Sequence, residues 1–150
     1  MDNKKPKIDV VILAAGMGTR MKSDLPKVLH PLLGKPMVEY IFDAVRDICE
    51  DPPLVVVGNC ADLVMETLGD QARYVLQEPQ LGTAHAVQCA RTVLRGKSDI
   101  VLVANSDFPL ITAETYALLV KTHRESGSKL TLSTVVSEIS RGFGRIVRNE

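Results

Sequence analysis

The sequence predicts an α/β fold, a Rossmann-like three-layer sandwich around a mostly parallel sheet, and three observations carry that expectation. Short apolar runs rich in Val and Ile, at Ile8 to Ala15, Leu54 to Val57 and Ile100 to Ala104, lack the polar alternation of half-exposed strands; parallel strands covered on both faces read this way. Between the runs, apolar residues recur at three and four, the period of a helix with one buried face. Strands alternating with helices of this length imply βαβ units, whose crossovers are right-handed.

Taken in order, residues 1 to 7 are polar and basic and read as a flexible tail. The first strand runs into Gly16-Met-Gly, a glycine turn at a strand end. Met37, Tyr40, Ile41, Ala44, Val45 and Ile48 give the first helix. Leu54 to Val57, bounded by Pro53 and Gly58, is the next strand, and Tyr74 to Leu76 a further one. Ala86, Val87, Ala90, Val93 and Leu94 form a second helix, and Tyr116, Leu119 and Val120 a third, with Thr83 and Thr112 placed to act as their N-caps. Leu130 to Val136 reads as a longer, half-exposed strand. Gly142 to Glu150 starts like a strand and stops, so residues 8 to 150 read as the N-terminal part of a domain cut short at its C-terminal end.

Composition narrows the function. The chain has 150 residues with 18 Lys and Arg against 18 Asp and Glu, so no net charge is available to coat nucleic acid. Aromatics are 4% with no Trp, which argues against a stacking platform for single strands. Cys49, Cys60 and Cys89 offer neither a disulfide framework nor C-x-x-C spacing, and free thiols fit a reducing cytoplasm. The apolar run Val10 to Ala15 is too short for a signal segment, and no stretch approaches the roughly 20 apolar residues of a membrane helix. A cytoplasmic protein without nucleic-acid or membrane partners is expected.

The chemistry begins at Ala14-Ala15-Gly16-Met17-Gly18-Thr19-Arg20, where small residues after a strand let backbone N–H groups approach an anion. It is not the dinucleotide fingerprint, because Met21 stands where the third glycine belongs, and Gly34-Lys35-Pro36 is not a Walker A loop. From Gly16 to Pro36, Arg20, Lys22, Lys27 and Lys35 stand against Asp24 alone, a local excess of positive charge suited to a nucleoside triphosphate. Lys22 and Lys35 read as solvated surface, whereas Lys27, behind Leu25-Pro26, has a restricted backbone. Gln77 and Gln80 each offer a donor and an acceptor, as the edge of a uracil requires. Asp107 follows a buried strand, where open α/β sheets place ligands. A carboxylate there suits Mg²⁺, which takes oxygen ligands and retains water and phosphate. Ser106 lacks a nucleophile elbow and an assignable base, and His85, one turn inside a helix, reads as a packing or capping residue.

Leu13-Ala-Ala-Gly-Met-Gly-Thr-Arg-Met21, with Leu25-Pro-Lys-Val-Leu-His30 and Leu33-Gly-Lys-Pro-Met37, resembles the signature of the sugar nucleotidyltransferases, in particular the bacterial N-acetylglucosamine-1-phosphate uridylyltransferases. The likeness continues through Val75-Leu-Gln-Glu-Pro-Gln-Leu-Gly-Thr-Ala-His85, Asp107-Phe-Pro-Leu-Ile111 and Gly142-Phe-Gly-Arg-Ile146. The resemblance implies the nucleotide-diphospho-sugar transferase type of fold and transfer of a uridylyl group from UTP to N-acetylglucosamine 1-phosphate. The products are pyrophosphate and UDP-N-acetylglucosamine, a cell wall precursor. It implies Mg²⁺ as cofactor and Asp107 as its ligand. Arg20 and Lys27 act on the reacting phosphates, and Leu13, Ala14, Ala15, Gly16 and Gly18 lie along the nucleotide. Gln77, Gln80, Gly82 and Thr83 line the uracil pocket, and Gly144 contacts the sugar. In such enzymes an acetyltransferase β-helix that trimerises often follows, which leaves a homo-oligomer open. A nucleotide-binding fragment without turnover, another sugar 1-phosphate, or a cytidylyl acceptor are the alternatives. One departure stands out: the family usually has glycine before the metal-binding Asp, whereas Ser106 here is expected to add a side chain where sugar or metal approaches.

Overall fold

The computed structural model describes residues 6–16, 18, 21–138, 144 and 146–148. Four parallel strands form its sheet: β1 (Ile8–Leu13), β4 (Leu54–Val57), β5 (Arg73–Leu76) and β6 (Ile100–Asn105), in the order β5-β4-β1-β6. The small antiparallel pair β2 (Pro31–Leu32) and β3 (Lys35–Pro36) lies apart from it. Leu33 and Gly34 both take positive φ, 50° and 84°, so the two-residue turn twists in the sense that a tight hairpin demands. The helices are α1 (Met37–Val45), α2 (Ala61–Leu68), α3 (Thr83–Leu94) and α4 (Ala113–Ser126).

Alternation along β1 divides the core in two, because successive strand side chains point to opposite faces. Val10 and Ile12 pack with Val55, Val57, Leu102 and Ala104 against Val38, Ile41 and Phe42 of α1, Val64 and Leu68 of α2, and Tyr116 and Val120 of α4. Val11, Leu54 and Val56 pack on the other side against Ala86, Ala90 and Leu94 of α3. The result is three layers, with fully buried Ile41 as the anchor of α1. Truncating such a residue to Ala costs about 2–5 kcal/mol.

The expectation of double coverage holds for β1 and β4 and fails for β6, where Val101 and Val103 are exposed. On the α3 side that helix lies against β1, β4 and β5, and the residues of β6 on that face are left exposed. The strand expected at Leu130 to Val136 is not formed: the backbone there joins no ladder, and Leu130, Leu132, Val135 and Val136 are exposed. Alternation makes a strand only where a neighbouring strand supplies hydrogen bonds and a layer buries one face, and among the described residues β6 pairs with β1 alone. Helix α2 had not been anticipated, although Ala61, Val64, Met65 and Leu68 carry its period. Thr112 is the N-cap of α4, but the N-cap of α3 is Gly82 at φ 93°, leaving Thr83 as the first helical residue. A residue with a Cβ is disfavoured at that φ, so the glycine takes the cap.

Candidate active site

All four main strands end on the same side, and the chain order reverses between β1 and β6: it passes outward through β4 and β5, then returns to the opposite edge. Open parallel sheets bind ligands at such a reversal, beyond the carboxyl ends of the strands. A cleft of about 380 Å³ opens there, lined by Leu13, Ala15, Gly16, Gly18 and Lys27 on one side and Gln77, Gln80, Gly82 and Thr83 on the other, with Asn105, Ser106 and Asp107 at the third corner. Residues up to 94 positions apart in sequence thus converge on one space. Of the anticipated site residues, Ala14 does not line the cleft: its side chain is buried in the α1-side core and its N–H donates to the Val56 carbonyl at 2.9 Å. Arg20 lies outside the described residues, and Gly144 is described but lines no part of the cleft.

Lys27 is held by its neighbours. Buried Pro26 precedes it, and Val28 and Leu29, in the same single 3₁₀ turn, sink into the core, leaving the lysine on the outer side. Gly18 lies directly against its stem: a Cβ added at Gly18 would stand 2.5 Å from the Lys27 Cβ. The Lys27 Nζ donates to Asp107 Oδ2 at 3.0 Å, with both side chains more than a third exposed. An exposed pair of this kind contributes only about 0–1 kcal/mol, so phosphate and a cation can separate the two groups at little cost. Lys35 does not join them. It pairs with Asp43 and lies 5.0 Å from the centre of the Tyr40 ring, and the Asp43 carboxylate holds its amine above the usual lysine range. The positive excess read from the sequence is therefore partly neutralised within β3 and α1, and Lys27 is the lysine that lines the cleft.

Ser106 lines the cleft, but its hydroxyl is taken up by the sheet. Its side chain is 3% exposed and its hydroxyl donates to the Leu13 carbonyl at 2.5 Å, while its N–H reaches the same oxygen at 3.3 Å. The hydroxyl ties the end of β6 to the end of β1 and sets where Asp107 leaves the sheet. Among the described residues, Asp107 is the only acidic one lining the cleft, and no group of three His, Cys, Asp or Glu able to hold a metal occurs. One carboxylate beside a space for phosphate suits a hard cation that shares its coordination with substrate oxygens and does not suit zinc.

Gly58 was read from the sequence only as the end of a strand. A Cβ at this buried position would meet Gln80 Nε2 at 2.4 Å and the Ala15 carbonyl at 2.7 Å, so its lack of a side chain lets the Gln80 amide lie over the end of β4. A glycine immediately after a buried strand, at the edge where ligands bind, is the signal that would have found it. Gln77 is 4% exposed, bonded through its backbone N–H to the Val57 carbonyl and through its side chain to Gly82 and His85.

Fold and cleft together define a nucleotidyltransferase, and the chain belongs to the MobA-like NTP transferase domain family, whose profile matches residues 10–142. Among its relatives is the bifunctional protein GlmU of Exiguobacterium sp., 51% identical over 140 residues, 93% of this chain and 31% of that protein. GlmU of Bacillus licheniformis is 46% identical over the same share. The chain thus spans about a third of the length of these relatives. Among solved structures, Rv0371c of Mycobacterium tuberculosis superposes with a TM-score of 0.70 at 20% identity, covering 81% of this chain and 63% of that one. A nucleotidyl transferase of Methanothermobacter thermautotroptrophicus gives 0.63 at 28% identity, covering 77% and 57%.

Proposed function

We propose that the protein transfers a uridylyl group from UTP to N-acetylglucosamine 1-phosphate, releasing pyrophosphate. The observation that carries this reading is the convergence, in one cleft, of a glycine turn, Lys27, Asp107 and the two glutamines. The relationship to GlmU along 93% of the chain supports it. In the reaction an oxygen of the sugar 1-phosphate attacks the α-phosphorus of UTP, a new P–O bond forms, and the bond to the β-phosphate breaks. No enzyme group is covalently modified, so the protein acts by positioning and by neutralising charge.

The glycine turn, where a Cβ at Gly16 would meet nothing within 4 Å, lets phosphate oxygens approach the backbone N–H groups, and the first turn of α3 adds the positive end of its dipole. Lys27 exchanges its carboxylate partner for a phosphate and neutralises charge as the leaving group departs. Asp107, released from Lys27, is the residue that would hold a divalent cation, Mg²⁺ in this reading. The chemistry such an ion would supply there is neutralisation of phosphate charge. Gln77 and Gln80 take the base, and Gln80 depends on Gly58 for its place. The Lys27→Ala variant tests the reading by pyrophosphate release from UTP and N-acetylglucosamine 1-phosphate. Turnover should fall roughly 100- to 1,000-fold, since a donor to transition-state charge is worth about 2.7–4 kcal/mol. Stability should change by no more than about 1 kcal/mol. Unchanged turnover would reject the role of Lys27, and UTP binding without pyrophosphate release by the unmodified chain would indicate a binding module.

A further inference from the structure

We infer that His85 is a positioning residue that, together with the Gly82 carbonyl, fixes the orientation of the Gln77 amide and thereby the preference for uracil over cytosine, an inference that rests on the uridylyl reading above. Gln77 Nε2 lies 3.0 Å from the Gly82 carbonyl oxygen and 3.2 Å from His85 Nδ1. The Gly82 carbonyl can only accept, so the amide edge facing it is the NH₂ group. With one N–H on Gly82, the second is directed at His85, whose Nδ1 must then carry a lone pair. The imidazole is therefore the neutral form protonated at Nε2. That nitrogen lies 4.0 Å from Cys89 Sγ, one turn further along α3, which is a weak acceptor.

The consequence lies at the other end of the amide. Both N–H groups are committed, and Gln77 Oε1 makes no hydrogen bond among the described residues although the side chain is almost wholly buried and lines the cleft. Gln77 therefore offers the base an acceptor. Uracil presents N3–H at the middle of its pairing edge and satisfies that oxygen, whereas cytosine presents a lone pair at N3 and opposes it. A glutamine free to rotate its amide by half a turn would suit either base. The Gly82 carbonyl opposes that turn because it can only accept, and His85 opposes it as well while its proton stays on Nε2, facing Cys89 Sγ. The helical spacing permits this, because His85 is the third residue of α3, three positions after Gly82, so one turn of helix carries the ring back over the cap.

The test compares UTP and CTP binding by calorimetry in the unmodified chain, His85→Ala and His85→Asn, with tripolyphosphate as a probe of the phosphate side alone. The unmodified chain should favour UTP. His85→Ala should reduce that preference roughly fivefold to tenfold, the worth of one neutral hydrogen bond, with tripolyphosphate affinity unchanged. His85→Asn, whose Oδ1 falls near the position of Nδ1 and also accepts, should restore most of it. Retention of the full preference in His85→Ala overturns the positioning role while leaving the uridylyl reading intact. Failure of the unmodified chain to bind either nucleotide overturns both. An independent readout needs no variant: the ¹⁵N spectrum of the His85 ring should show a protonated Nε2 and a bare Nδ1, and a protonated Nδ1 contradicts the inference.

Discussion

Gly18→Ala should disable the cleft by moving Lys27, and the cost can be worked from the backbone. Gly18 has φ 63°, the left-handed region, where a side chain costs about 1–2 kcal/mol. The new Cβ would sit 2.5 Å from Lys27 Cβ, 3.3 Å from its Cγ and 3.4 Å from its Cα, so the lysine stem must shift. Overpacking of this kind typically costs a further 1–3 kcal/mol. The sum is roughly 2–5 kcal/mol, which at this chain length lowers the melting temperature by at least about 4 °C. Because Lys27 Nζ leaves its place, UTP affinity should fall roughly tenfold to hundredfold, the value of one charge-assisted hydrogen bond. Gly16→Ala is the matched control for stability, since a Cβ there meets nothing within 4 Å and the φ is not left-handed. Thermal unfolding of both variants, with UTP calorimetry on Gly18→Ala, reads the result. Equal stability of the two would refute the claim that Gly18 is required by its contact with Lys27.

Gly58→Ala should weaken UTP binding through the base rather than the phosphates, because its Cβ would displace the Gln80 amide; tripolyphosphate binding should change less than UTP binding. Asp9→Ala should destabilise the fold by about 3–5 kcal/mol, as removal of one partner from a buried pair does. Its carboxylate is 1% exposed and accepts from Arg73 Nη2 and Ser98 Oγ, each at 2.5 Å. UTP affinity measured well below the melting temperature should be unchanged, since Asp9 lies near the opposite end of β1. The Thr112 hydroxyl, and after it the backbone at Glu114 itself, holds the Glu114 carboxyl below its usual range. That contribution is present above the unfolded pKa of about 4.3 and is lost as pH falls through the lower folded value. Glu114→Gln should therefore show a shallower loss of melting temperature on the acid side than the unmodified chain.

The strands of the sheet were legible because parallel strands under helices are continuous apolar runs, and β1, β4 and β6 each show one. Helix α2 was harder to see because only Val64 and Leu68 are buried, so its apolar face is narrow beside Leu63 and Met65, which are exposed. Leu130 to Val136 misled for the opposite reason. Its alternation is genuine, but strand formation depends on a partner and a covering layer that local residues do not specify. The glycine turn, Lys27, Gln77, Gln80 and Asp107 stand out in the sequence by residue type, and the fold brings them to one cleft. Ser106 and Gly58 do not, since their roles lie in contacts with Leu13, Ala15 and Gln80 at distant positions in the chain. The bond between His85 and Gln77 likewise depends on the angle at which α3 leaves Gly82.

In the proposed function, one cleft at the ends of β1 and β6 holds the triphosphate while Gln77 and Gln80 hold the base. A crystal structure of the chain with UTP and Mg²⁺ tests it most directly. Phosphate oxygens should lie against the backbone at Gly16 and Gly18, with Lys27 Nζ moved from Asp107 to a phosphate, the metal on Asp107, and the uracil N3–H on Gln77. Nucleotide bound elsewhere, or bound here with the Lys27–Asp107 pair still closed, would contradict it.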